Sequence, residues 1–156
     1  MLEVHNQQKK IRVSLSKLIF FSERVISYLG LSKHDMTILL ATDREVRRLN
    51  KQYLGHDWNT DVLSFPTQPA GRIKQGGKEK YLGDIVISPV QAKKQAKEFN
   101  TSLNYELCLY VVHGILHLLG YKDYPAKEKK KMEARQEKIL LEIKRKWPLK
   151  KQKPLY

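Results

Sequence analysis

The chain has 156 residues, enough for one domain with a real core and too few for two, and its single cysteine, Cys108, cannot form an internal bridge, which fits a reducing compartment. No apolar run approaches the ~20 residues that cross a bilayer, and Met1–Lys10 lacks the apolar stretch of a signal peptide, so the expectation is a folded cytoplasmic protein rather than a membrane span, a secreted disulfide scaffold or a collagen-like repeat. Thirty Lys and Arg against sixteen Asp and Glu give +14, an excess that attracts polyanions.

In chain order, Leu2–Val4 reads as a short strand. Ser14–Tyr28 has helical spacing of Leu15, Leu18, Ile19, Val25 and Ile26, with Gly30 as its stop. Met36–Ala41 is an apolar strand. Thr42 or Asp43 caps a helix over Arg44–Tyr53, whose polar face carries Arg44, Arg47, Arg48 and Lys51. Gly55–Asn59 is a loop, and Asp61–Phe65 is a short strand closed by Pro66. The Gly- and Lys-rich stretch Thr67–Lys80 is expected to be a mobile loop. Leu82–Ser88 is the next strand.

Ser88, Pro89 and Gln91 then form a capping-box pattern opening a helix to about Phe99. Asn104–Leu119 is the most apolar segment, a helix that belongs in a core, with Gly120 just past its end. Pro125 opens a last helix to about Lys146, striped by Met132, Ile139, Leu140 and Ile143. These elements make one domain, residues 1–146, and a basic C-terminal tail, 147–156. No helix separates the strands Asp61–Phe65 and Leu82–Ser88, so the expected fold is α+β, a small mixed sheet packed with helices. From Gly120 to Tyr156, thirteen Lys and Arg against five Asp and Glu hold +8 of the +14. Either this is a solvated basic helix that favours solubility, or it is a surface for nucleic acid.

His113 and His117 lie four apart on the buried helix, so both imidazoles share one face, a turn apart, where they can hold a metal. The turn after Gly120 can bring Asp123 back over that face as a carboxylate ligand. Three ligands with one open position are the pattern of a catalytic zinc site, whose bound water becomes the nucleophile. The plainer alternatives are two satisfied core histidines, and an Asp123 that only caps the helix after Pro125. Gly114 stands where a His-Glu-x-x-His peptidase carries its general base, which argues against that class.

The run His113-Gly-Ile-Leu-His117-Leu-Leu-Gly120-Tyr121-Lys-Asp123 resembles the signature of the YbeY family, bacterial metal-dependent endoribonucleases of ribosomal RNA maturation. Tyr53-Leu-Gly-His-Asp57-Trp-Asn-Thr60-Asp61-Val-Leu-Ser-Phe-Pro66 and Leu82-Gly-Asp-Ile-Val-Ile-Ser88 resemble two further blocks of that family, in the same order. The resemblance implies a compact α+β fold, one zinc ion with other divalent metals possible, and hydrolysis of single-stranded ribosomal RNA in partnership with the small ribosomal subunit. It implies neither a membrane nor DNA. The metal ligands it implies are His113, His117 and Asp123, with a metal-bound water, not a side chain, doing the chemistry.

Two departures touch that chemistry. The family has histidine where Asp123 stands and usually aspartate where Lys122 stands. A carboxylate ligand lowers the net charge of a zinc site from +2 to +1, raises the pKa of its water, and suits iron or manganese as well. The family also carries an arginine, held to grip RNA phosphate, where this chain has Leu54; Arg48, Lys51 or His56 are the candidates to replace it. Of the remaining residues, Asp84 is expected to bind backbone donors, Asp61 and Ser64 to shape their strand, Tyr121 to pack on the helix end, and His5 and His34 to be surface or structural. Trp58 and Trp147 are expected to pack rather than stack on bases. The rival readings are an RNA-binding ribosome-assembly factor with a structural metal, and a different metal-dependent hydrolase.

Overall fold

The computed structural model describes residues 1–67 and 80–146; the expected mobile loop, apart from its end residues Thr67 and Lys80, and the basic tail with Trp147 lie outside the described residues. Its elements run β1 (Leu2–Asn6), α1 (Leu15–Tyr28), β2 (Asp35–Leu40), α2 (Asp43–Leu54), β3 (Val62–Pro66), β4 (Tyr81–Ile87), α3 (Pro89–Glu98), α4 (Leu103–Leu118) and α5 (Ala126–Lys146). The four strands form one mixed sheet in the order β1-β2-β4-β3. The pairs β1–β2 and β2–β4 are parallel, and β3–β4 is antiparallel. The α+β mixed sheet expected from the sequence is therefore the fold observed.

Alternation along the strands sorts the apolar residues into two layers. Met36, Ile38 and Leu40 of β2 join Ile85 and Ile87 of β4 in the main core, beneath α1, α4 and α5. Val86, Leu63 and Ala41 face the other way and meet Val46 of α2 in a smaller cluster. Helix α4 fills the middle of the main layer. Leu107, Val111, Val112, Ile115, Leu116 and Leu118 are all essentially buried there, as a helix apolar on nearly every side requires. Of the stripe on α5, Met132, Ile139 and Ile143 are buried and Leu140 is half-buried.

The starts of α2, α3 and α4 have a local cause. Thr42, Ser88 and Ser102 accept hydrogen bonds from the amides of Glu45, Gln91 and Tyr105, satisfying donors that a first helical turn leaves open. The capping box expected at Ser88 is only half made. The Gln91 side chain donates to Asp43 at 2.9 Å instead of reaching back, and the Ser88 hydroxyl donates to the other oxygen of Asp43 at 2.5 Å. The Ser88 amide that the box would satisfy already donates to the Asp61 carbonyl at 2.9 Å, and the Gln91 side-chain amide is free to make a charge-assisted bond to Asp43 at the start of α2. The cap is thereby turned into a clasp between α2 and α3.

Candidate metal centre

Two features of α4 set its position over the sheet. Gly114 has no room for a side chain: a Cβ there would stand 2.7 Å from Cγ2 of Ile85. Its carbonyl accepts a hydrogen bond from the Ser64 hydroxyl at 3.0 Å, tying α4 to β3. With Gly114 facing the sheet, His113 and His117 emerge on the flank of the helix beside it, both partly buried. Their rings meet edge to face, with centroids 4.6 Å apart.

The orientation of each ring is fixed from behind. The Nδ1–H of His117 donates to the Tyr121 carbonyl at 3.0 Å, and that of His113 to Oε1 of Gln136 on α5 at 3.2 Å. An oxygen acceptor at Nδ1 requires the proton there, so the lone pair of each neutral ring sits on Nε2. The two Nε2 atoms face one another at 3.0 Å. A shared proton would relieve their repulsion only by making a half-buried imidazolium. Burial, with the neighbouring His117 second, holds His113 below its ordinary titration range and disfavours that form. A cation between the rings would satisfy both lone pairs instead.

The turn after α4 supplies the third group. The Gly120 and Tyr121 amides bond back to the carbonyls of His117 and Leu116, and Gly120 adopts φ 96°, so the chain reverses over the helix end. The reversal aims the Tyr121 carbonyl at His117 and brings Oδ2 of Asp123 to 3.5 Å from His117 Nε2. One ligand atom from each of His113, His117 and Asp123 lies within 4.8 Å of the others. Two imidazole nitrogens and a carboxylate oxygen are a fitting donor set for a divalent metal.

The other sequence candidates sit elsewhere. Arg48 is exposed and forks onto Glu45, with Nη1 on Gln52. Lys51 lies 3.7 Å from Asp57, which also takes a bond from Arg47 at 3.0 Å. His56 is exposed and stacked on Trp58, with centroids 4.3 Å apart and planes 12° from parallel. Leu54 is exposed at the end of α2. Tyr121 does pack against the main core. Oδ1 of Asp61 accepts from the Val62 amide and the Thr60 hydroxyl, which shapes the entry to β3 as expected.

Two expectations are corrected. Asp84 is exposed, and its carboxylate accepts from the Tyr81 hydroxyl rather than from backbone donors; it lies on the face of β4 away from α4. Trp58 is 56% exposed, and among the described residues its one ring partner is His56, so it does not serve the core. The sequence reading also passed over Gln136, which orients His113. Its signal was a polar residue interrupting the apolar stripe of α5 between Met132 and Ile139.

A family model described as Endoribonuclease YbeY matches residues 3–144. An Endoribonuclease YbeY of Aquifex aeolicus is 41% identical over 123 residues, covering 79% of each chain. One from Alkaliphilus metalliredigens is 33% identical over 146 residues, covering 91% of this chain and 94% of its own. A solution structure of a Thermotoga maritima protein superposes with a TM-score of 0.65 at 28% identity, over 95% of this chain and 92% of that one.

Proposed function

The chain belongs to the YbeY family of endoribonucleases, enzymes that hydrolyse RNA, and on that premise we propose that it cleaves single-stranded ribosomal RNA during maturation and quality control of the small ribosomal subunit in the cytoplasm. We assign one zinc ion to His113, His117 and Asp123. The observation that carries this reading is the pair of Nε2 lone pairs facing each other at 3.0 Å with the Asp123 carboxylate alongside.

When bound, the ion supplies Lewis acidity toward a phosphate oxygen and acidifies water beside it. The protein's own share is positional. Gln136 and the Tyr121 carbonyl fix both tautomers, and such outer partners govern how well imidazoles hold a metal. The Ser64–Gly114 bond and the contact of Gly114 with Ile85 hold α4, and so both rings, against the sheet. Affinity for the phosphate backbone comes from the +14 excess, with Arg48, Lys51 and His56 at the end of α2 as candidate contacts.

The test is cleavage of unpaired RNA by purified protein, with divalent metal and with chelator, against His117→Ala. Cutting that requires metal and is lost in the variant supports the reading. RNA binding with no cutting under any metal supports an assembly factor with a structural ion. Hydrolysis of peptides but not RNA would also overturn it. Gly114 stands against that last outcome, since its place against Ile85 leaves no room for a general base there.

A further inference from the structure

The segment Tyr53–Trp58 exposes apolar surface in a way the core does not explain. Three large hydrophobics, Tyr53, Leu54 and Trp58, are exposed within six residues, and Trp58 carries His56 flat against its ring. Concentrated exposed aromatic surface marks a binding site more often than chance. The loop is also held in place. Asn50 is buried, and it gives its side-chain amide to the Trp58 carbonyl at 3.1 Å. Gly55 ends α2 in the left-handed conformation, at φ 71°. Arg47 and Lys51 both grip Asp57, between the two stacked rings in sequence. The buried amide of Asn50 and the turn at Gly55 thus hold a loop whose His56 and Trp58 rings stand outside the core, so its shape is set before any ligand arrives.

The loop leads directly to the candidate metal centre. Trp58 is three residues from Asp61, hence at most roughly 11 Å away along the chain. Three residues further, Ser64 touches the carbonyl of Gly114, between the two histidine turns.

We infer that the His56–Trp58 stack is a seat for one unpaired RNA base, which extends the pile by one ring as the strand passes the His113–His117–Asp123 cluster. Every base has a π-face, so the seat reads strandedness rather than sequence: a base in a duplex is already stacked and cannot enter. Arg47 and Lys51 lie beside the seat, where a phosphate of the same strand can take the place of Asp57 as their partner. The inference rests on the endoribonuclease reading and names the part of the protein that selects single strands.

The experiment measures binding in chelator, where no cleavage occurs, using the full chain and a labelled mixed-sequence RNA offered unpaired or annealed to its complement. Trp58→Ala is expected to weaken binding of the unpaired RNA by roughly 5- to 150-fold, the range for losing one stacked base. Trp58→Phe should retain most of the affinity, and duplex binding should not change. In a Trp147→Phe background Trp58 is the sole tryptophan, and its emission should be quenched by unpaired RNA only. Unchanged affinity in Trp58→Ala, or an equal loss on duplex, overturns the seat. Failure of the cleavage reading looks different, because there His117→Ala cuts as well as the parent while binding in chelator is untouched.

Discussion

Gly114→Ala is the substitution that best isolates how the sheet positions the helix that carries His113 and His117. Helix propensity alone favours the change, since Ala in a helix interior is worth about 1 kcal/mol over Gly. Packing opposes it. The new methyl would stand 2.7 Å from Cγ2, 3.1 Å from Cδ1 and 3.2 Å from Cγ1 of Ile85, which is the whole side chain of a fully buried residue rather than a flexible tip. Overpacking of this kind costs about 1–3 kcal/mol. The balance is a net loss near 1 kcal/mol, or a fall in melting temperature of roughly 2–4 °C for a chain of this size. Relief comes from lifting α4 off β4, which also stretches the Ser64–Gly114 bond and shifts His113 and His117 together.

The assay is a double-mutant cycle by urea unfolding in chelator. Ile85→Ala alone should cost about 2–5 kcal/mol as a buried truncation. Combined with Gly114→Ala it should cost less than the two singles together, by about the 1–3 kcal/mol of the removed clash. Metal affinity, measured by competition with a chelating dye, should fall in Gly114→Ala and recover in the double variant. A Gly114→Ala protein as stable as the parent, or a cycle with no coupling, would show that Ile85 yields freely and that the sheet does not set the height of the helix.

Four further outcomes are expected. Gln136→Leu removes the acceptor of His113 Nδ1–H and should weaken metal binding about 10- to 100-fold with little loss of stability, as read by the same dye competition. In chelator, stability should fall as the pH drops below 6.5. Burial and His117 hold folded His113 below that ordinary value, so the unfolded chain takes up the proton first, and the loss continues down through the folded pKa; urea midpoints at pH 7.5 and 5.5 should converge in His113→Asn. Burial pushes the Cys108 thiol up to about 12 from 9.0, so iodoacetamide at pH 8 should label the native protein about a thousandfold more slowly than the urea-unfolded chain. RNA affinity should fall steeply and linearly on a log–log plot against salt, and a flat response would mean that the +14 excess does not face the substrate.

Much of this protein is legible in its sequence because single residues decide local outcomes. Ser88 with Pro89, Thr42 with Gly55, and Gly120 after an apolar run mark ends that the fold reproduces to within a residue or two. Spacing alone placed His113 and His117 on one face, and the short turn after Gly120 brought Asp123 to them. Less legible were groups whose role depends on a distant partner. Gln91 turned to Asp43, 48 residues away, and Gln136 reached across from α5 to His113. Nothing nearby in sequence announces either bond, because which acceptor wins depends on what the tertiary fold brings close. Trp58 was misjudged for the opposite reason. A large apolar ring is buried on average, and only the surrounding fold shows that the core is complete without it.

The candidate centre is built with unequal rigidity. His113 and His117 ride on a helix packed on several sides and have their far nitrogens anchored, so the helix and the anchors alone bring their lone pairs together. Asp123 comes from a turn beyond the helix end, with its side chain 61% exposed and 3.5 Å from His117 Nε2. An exposed carboxylate keeps most of its hydration and gains little from that approach alone. On the proposed assignment, the two imidazoles would therefore decide where a metal sits. The carboxylate would then set how much positive charge the site keeps, and its exposed place beyond the helix end lets another donor stand there without disturbing α4. Asp123→His is accordingly expected to leave the melting temperature of the chelator-treated protein unchanged and to act on the charge of the proposed site.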